Sequence, residues 1–373
     1  MGKQKIFVNG RFLTQPVTGV QRYAIEVLKA LDGLIECGEV DLGGAQIEIL
    51  TPPEPCHPLT MRRIGIRPVG RLRGNPWEQV DLPWHARTGL LVGLCNINPV
   101  LHFHQMITIH DASVFAVPQA YSRAFRLKYQ VILQLVGRTA HRVITDSCFS
   151  KDELIRYCGI KAEKVNVIPA GSEHILAVPP DEGVFARHAI GARPYVLAVS
   201  SQSPHKNYAG LVQAAGLLTE AGFDFVFAGG TFGAVFRSQQ AGLPSNVRSL
   251  GYVTDAELRA LYEHADCFVY PTFYEGFGLP PLEAMRLGCP VVVSRAASLP
   301  EVCGDAALYV DPHRPEEIAA QIVEARQPGM RQELRARGLQ QSARFTWANT
   351  ARLVWAIIDD SLGKPGLAKE DKG

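Results

Sequence analysis

Short apolar runs alternate along the chain with longer amphipathic stretches. Residues 5–8 (KIFV) form a β-like run closed by Asn9 and Gly10, and residues 19–31 (GVQRYAIEVLKAL) carry apolar side chains at helical spacing. The N-terminus therefore predicts a strand, a glycine-bearing loop and a helix. Further β-like runs at 47–50, 90–92, 107–109, 142–145 and 165–168 are interspersed with helical segments at 121–139 and 150–158. Strand and helix in alternation predict a parallel sheet flanked by helices.

The pattern then starts again. A strand at 195–200 (YVLAVS) is followed by a helix at 209–221, strands at 223–228 and 247–250, a helix at 255–263 and strands at 267–270, 291–294 and 307–310. A helix-rich tail runs over 315–362 and its last segment, FTWANTARLVWAIIDD, has apolar residues spaced for packing. The stretch 177–194, rich in proline, glycine and charge, reads as a linker. The expected division is 1–176, 177–345 and a final segment 346–373 whose helix docks back on the first domain before a frayed polar end.

Length and composition agree with two globular domains: 373 residues, 47% hydrophobic and 20% charged, can fill two cores. A formal net charge of +2 gives no footprint for a nucleic-acid partner. The eight cysteines form no CxxC pair and several sit in apolar runs, which reads as reduced core thiols. No apolar run approaches the roughly 18 to 20 residues of a membrane-spanning helix, and the N-terminus has no signal-peptide core. The expected location is cytoplasmic, with peripheral contact at the inner membrane face allowed.

The most informative stretch is Tyr274-Glu275-Gly276-Phe277-Gly278-Leu279-Pro280-Pro281-Leu282-Glu283-Ala284-Met285 and its continuation to Val293, which places glycines and two carboxylates between a strand and a helix. Glycines permit close backbone approach, and N–H groups at a helix start attract anions such as a diphosphate. Glu275 and Glu283 sit at opposite ends of this turn and helix, so they can reach opposite ends of an extended ligand. The stretch resembles the EGFGLPxLEAMxxGxPVV signature of the family 4 glycosyltransferases, a family of GT-B fold. That resemblance implies an α/β molecule of two facing Rossmann-like parallel-sheet domains with a cleft between them.

It also implies a donor site after Tyr195 and an acceptor site before Pro180. Glu275 would contact the transferred sugar, Glu283 the ribose, and the backbone of Gly276, Phe277, Gly278 and Leu279 the donor phosphates. Ser200-Ser201-Gln202-Ser203-Pro204-His205-Lys206-Asn207 resembles the family's loop ending in Lys-Asn, so Lys206 would neutralise the leaving diphosphate. Many relatives carry an arginine a few residues before this lysine; here Ser200 and Ser201 occupy that stretch, and Ser201 is taken as a donor-binding candidate. Val253, in Gly251-Tyr252-Val253, matches a loop that meets the nucleobase.

In the first half, Thr18-Gly19-Val20 resembles a glycine loop where a phosphate or acceptor sugar comes close. His110-Asp111, at the end of a strand, resembles an acceptor-side pair, with His110 bonding sugar and Asp111 orienting a hydroxyl or acting as base; helix capping is the competing reading. Asp146-Ser147 with Ser150 onward reads as helix-start chemistry.

Arg62, Arg63, Arg67, Arg71 and Arg73 lie in a stretch without acidic residues that can meet anionic lipid or an acceptor pyrophosphate, or simply be solvated. The following WEQVDLP resembles mannosyltransferase-like members. The expected function is retaining transfer of a hexose, GDP-mannose favoured, to a saccharide or lipid-linked acceptor. No metal and no cofactor are expected, since no Asp-x-Asp pair stands beside a strand end. Competing readings are transfer from another UDP-, dTDP- or GDP-sugar, an isomerising or hydrolysing relative, and a non-catalytic nucleotide-sugar-binding scaffold.

Overall fold

The computed structural model describes residues 4–55, 59–199, 203–229 and 243–362. The chain divides into two compact units, one of residues 1–115, 123–171 and 347–373, the other of 116–122 and 172–346.

The first unit is built on a seven-stranded parallel sheet. Its elements are β1 (Lys5–Asn9), α1 (Gly19–Glu36), β2 (Gln46–Thr51), β3 (Gly65–Pro68), β4 (Leu90–Gly93), β5 (Gln105–Thr108), α2 (Arg123–Thr139), β6 (Arg142–Thr145), α3 (Cys148–Cys158) and β7 (Val165–Val167). The strand order is β3-β2-β1-β4-β5-β6-β7, with every pairing parallel. Strand order reverses between β1 and β4, which opens a crevice at their carboxyl ends. The α1 helix starts at Thr18, whose backbone N–H donates to the Gln21 side chain at 3.1 Å, and it buries Tyr23, Ala24, Val27, Leu28, Leu31 and Ile35. The α3 helix is capped by Ser147 Oγ, which accepts from Ser150 N–H at 3.0 Å, and stops at Gly159 in the left-handed region, φ 63°. The C-terminal helix Trp347–Ser361 lies on α1, with Trp347 edge-on to Tyr23 at 5.9 Å.

The second unit carries a six-stranded parallel sheet. It comprises β8 (Tyr195–Val199), α4 (Tyr208–Leu217), β9 (Asp224–Ala228), β10 (Val247–Gly251), α5 (Asp255–His264), β11 (Cys267–Tyr270), α6 (Leu279–Arg286), β12 (Val291–Ser294), β13 (Ala307–Val310), α7 (Pro315–Ala325) and α8 (Pro328–Ser342). The order is β10-β9-β8-β11-β12-β13, so the reversal here falls between β8 and β11. Its core joins Val196, Leu211, Phe223, Phe225, Val269, Val292 and Ile318. Strands buried on both faces explain why these runs read as continuous rather than alternating apolar stretches.

Two features differ from the sequence reading. The arginine-rich stretch contains an edge strand, β3, whose exposed residues and terminal proline hide its periodicity. The basic charge there is also largely compensated by acids distant in sequence: Arg62 pairs with Glu36, Arg67 with Glu48 and Arg73 with Glu54. Among the described residues no helix is long and apolar enough to cross a membrane.

Candidate functional site

In the second unit, chemistry gathers beyond the carboxyl ends of β8 and β11, on either side of the reversal in strand order. The loop after β8 turns through Pro204–Lys206 and reaches Asn207, which adopts the left-handed conformation, φ 56°. Asn207 holds that loop in three ways. Its side-chain oxygen accepts from Gly210 N–H at 3.2 Å to cap α4, and its amide donates to the carbonyls of Pro271 (3.0 Å) and Pro312 (2.7 Å). Asparagine tolerates this φ better than most residues, so one side chain fixes both the turn and the lysine before it.

Lys206 donates to the Tyr270 hydroxyl at 2.8 Å and to the Glu275 carboxylate, and Tyr270 donates to the same carboxylate oxygen at 2.6 Å. Burial alone pushes the Glu275 carboxyl up; the Lys206 ammonium and the hydrogen bonds from Lys206 and Tyr270 reverse this and hold it below its ordinary value. It is ionised at neutral pH and accepts hydrogen bonds. Burial and the adjacent Glu275 push the Tyr270 phenol well above its usual range, which keeps it a donor.

The Glu275 loop is clamped by Ser298, whose hydroxyl lies 2.9 Å from the Glu275 carbonyl and 2.8 Å from that of Phe277. Gly278 has φ 109°, and a Cβ there would come within 2.7 Å of Leu299, so only glycine joins this loop to α6. Pro280 and Pro281 lie in the first turn of α6 and supply no N–H groups there. Glu283, buried on α6, accepts from Tyr262 at 3.3 Å and meets His174 Nε2 at 3.0 Å. Val253 lies half-buried just past β10. Ser201 lies outside the described residues.

In the first unit, His110 follows β5 and is buried. Its Nδ1 meets Asp146 Oδ2 at 2.5 Å and its Nε2 meets the Leu94 carbonyl at 3.1 Å, while Tyr23 stands edge-on to the ring at 4.8 Å. Both ring partners are acceptors, an arrangement that favours the doubly protonated ring. Burial lowers the His110 pKa, but the Asp146 carboxylate, the Leu94 carbonyl and Asp111 together offset it and the net shift is upward. Asp111 accepts from Ser113 N–H at 2.8 Å, a capping role. Gly19 opens α1, and a Cβ there would meet nothing within 4 Å, so packing among the described residues does not demand glycine.

Sequence reasoning singled out Lys206, Glu275, Glu283 and His110 but not the side chains they meet. Tyr270, His174, Tyr262 and Ser298 carry no motif of their own, and Asp146 reads as a helix-start residue although Ser147 makes the cap. Among the described residues no group of three or more His, Cys, Asp or Glu side chains is placed to hold a metal ion.

Residues 182–341 match the glycosyl transferases group 1 family. Over 369 residues the chain is 37% identical to O-antigen chain mannosyltransferase B of Escherichia coli, covering 90% of this chain and 94% of that protein. Among solved structures, sucrose-phosphate synthase from Thermosynechococcus elongatus superposes with a TM-score of 0.73 at 20% identity, covering 96% of this chain and 99% of the other. Anabaena HepE in complex with UDP and glucose superposes at 0.69 with 18% identity, covering 96% and 100%. These likenesses fit the two parallel-sheet units of the GT-B fold. With both a family match over the second unit and a relative aligned along nearly its whole length, the chain belongs to the glycosyl transferases group 1 family and is a hexosyltransferase.

Proposed function

We propose that the protein transfers mannose from GDP-mannose, with retention of anomeric configuration, to a saccharide or lipid-linked saccharide in polysaccharide assembly. The observation that carries this reading is the Lys206–Glu275–Tyr270 cluster at the carboxyl ends of β8 and β11, in a chain 37% identical to an O-antigen mannosyltransferase. The choice of mannose rests on that relative.

The donor diphosphate lies against the Lys206 ammonium and the amides of the 276–279 loop, where preformed donors stabilise charge as it develops on the leaving group. Glu275, ionised, accepts from hydroxyls of the transferred sugar, and Glu283 holds the ribose. The bond between the anomeric carbon and the phosphate oxygen breaks as an acceptor oxygen bonds the same face. The acceptor proton passes to the departing phosphate, which becomes GDP. No enzymic nucleophile and no metal take part. His110, held as an imidazolium, supplies positive charge on the acceptor unit rather than a base. A lipid-linked acceptor would draw the protein to an anionic membrane surface, and exposed apolar side chains of the first unit, Trp84, Leu101 and Phe103, are suited to that contact.

Calorimetric titration with GDP, UDP and dTDP tests the donor. Selective GDP binding that weakens in Lys206→Ala supports the reading, and selective binding of another nucleotide overturns it.

A further inference from the structure

A cavity of about 800 Å³ opens in the second unit along the edge strand β13, which β12 separates from β11 and the donor cluster. That volume is within the range of small-molecule sites. One wall is the segment 295–307 and the other is the last part of α8 with Arg344 just beyond it. Gly304, Ala306 and Ala307 carry too little side chain to fill the space, and Gly304 turns the chain into β13 at φ 52°.

Three guanidinium groups line this cavity, and each is held in a different way. Arg295 stacks over the Tyr309 ring at 5.0 Å, and the Tyr309 hydroxyl is fixed by donating to the Gly304 carbonyl at 2.6 Å. Arg337 donates to the Asp305 carbonyl at 3.2 Å and pairs with Glu333. Arg344 donates to Gln341 Oε1 at 3.2 Å, and Gln341 in turn donates to the Val302 carbonyl at 2.7 Å. Of the three, only Arg337 has a carboxylate partner among the described residues.

Elsewhere in this unit arginines are neutralised within the fold: Arg326 and Arg331 share Asp266, and Arg187 takes both Asp181 and Glu257. Like charges around one cavity repel, and an anion between them removes that cost. Stacking on Tyr309 orients Arg295 but leaves its charge in place. A phosphate group accepts paired hydrogen bonds from guanidinium groups, so it matches Arg295 and Arg344. Glu301 and Asp305 lie on the same walls and repel a bare anion, so the remainder of the ligand has to bring donors to them. Sugar hydroxyls do so, and they also accept from the Gln340 amide.

We propose that this cavity is a second ligand site that takes a phosphorylated sugar, with the phosphate on Arg295 and Arg344 and hydroxyls on Asp305 and Gln340. It shares no residue with the Lys206–Glu275–Tyr270 cluster and stands independently of the donor assignment.

Calorimetric titration of the full chain with mannose 6-phosphate and glucose 6-phosphate tests this, with inorganic phosphate and methyl α-mannoside as partial probes. At least one sugar phosphate is expected to bind, and each partial probe should bind about tenfold more weakly or worse. Arg295→Gln and Arg344→Gln each remove one charge from an exposed position, and each should weaken binding about tenfold, the size of one charge-assisted hydrogen bond. Saturating GDP and the Lys206→Ala substitution should leave it unchanged. Displacement by GDP, or loss in Lys206→Ala, would put the sugar phosphate in the donor cluster and overturn the second site. So would no binding of either sugar phosphate, equal affinity for inorganic phosphate, or titrations unaltered in the folded arginine variants.

Discussion

Lys206 and Glu275 come from loops that follow different strands, yet each is the other's ion-pair partner and both bond the Tyr270 hydroxyl. Lys206→Ala therefore leaves the Glu275 carboxylate with one donor fewer. Turnover should fall about 10²- to 10³-fold, as for loss of one preorganised donor. The melting temperature should fall too, whereas Tyr270→Phe, which keeps the ion pair, should cost about 1 kcal/mol. Steady-state kinetics and thermal melts on the same preparations check this; parent-like turnover and melting in Lys206→Ala would contradict it.

Glu283 is held by His174 and Tyr262 at the buried face of α6. A ribose contact is made equally in the ground and transition states, so Glu283→Gln should raise the donor KM about tenfold with little change in kcat. A loss confined to kcat would place this residue at the reacting carbon instead.

The His110–Asp146 pair makes stability depend on pH with a definite sign. A histidine whose folded pKa is raised above the ordinary value of 6.5 contributes stability that is fully present below that value and is lost as pH rises through the folded pKa. Asp146→Asn removes the cause of the upward shift. The melting temperature gap between parent and variant should therefore be wider near about pH 6 than near about pH 9. An equal gap at both would show that His110 is not charged in the fold.

Metal independence is also open to direct test. Transfer by the purified protein should survive EDTA, since Lys206 and the loop amides are assigned the charge stabilisation. Activity abolished by EDTA and restored by magnesium or manganese would overturn that assignment.

Much of the fold was legible because parallel strands buried on both faces leave continuous apolar runs, as in Val291–Ser294, and because helices declare their starts, as Thr254 and Glu257 do for α5. β3 was not, since an exposed edge strand has no apolar face to show. At the candidate site, the glycines and carboxylates around Glu275 stood out because they lie close together in sequence. Tyr270 and Ser298, which hold Glu275 and its loop, and Asp146, which pairs with His110, carry no signature of those roles, and Tyr270 reads simply as the last apolar residue of β11. Pro280 and Pro281 were visible, but their effect emerges only once α6 is seen to begin at Leu279.

The most direct test of the central claim is NMR analysis of products when the purified protein is given GDP-mannose and a lipid-tailed mannoside acceptor. The account predicts release of GDP and a new α-linked mannose on the acceptor, lost in Glu275→Gln. A β-linked product, or transfer only from a different nucleotide-sugar, would contradict it.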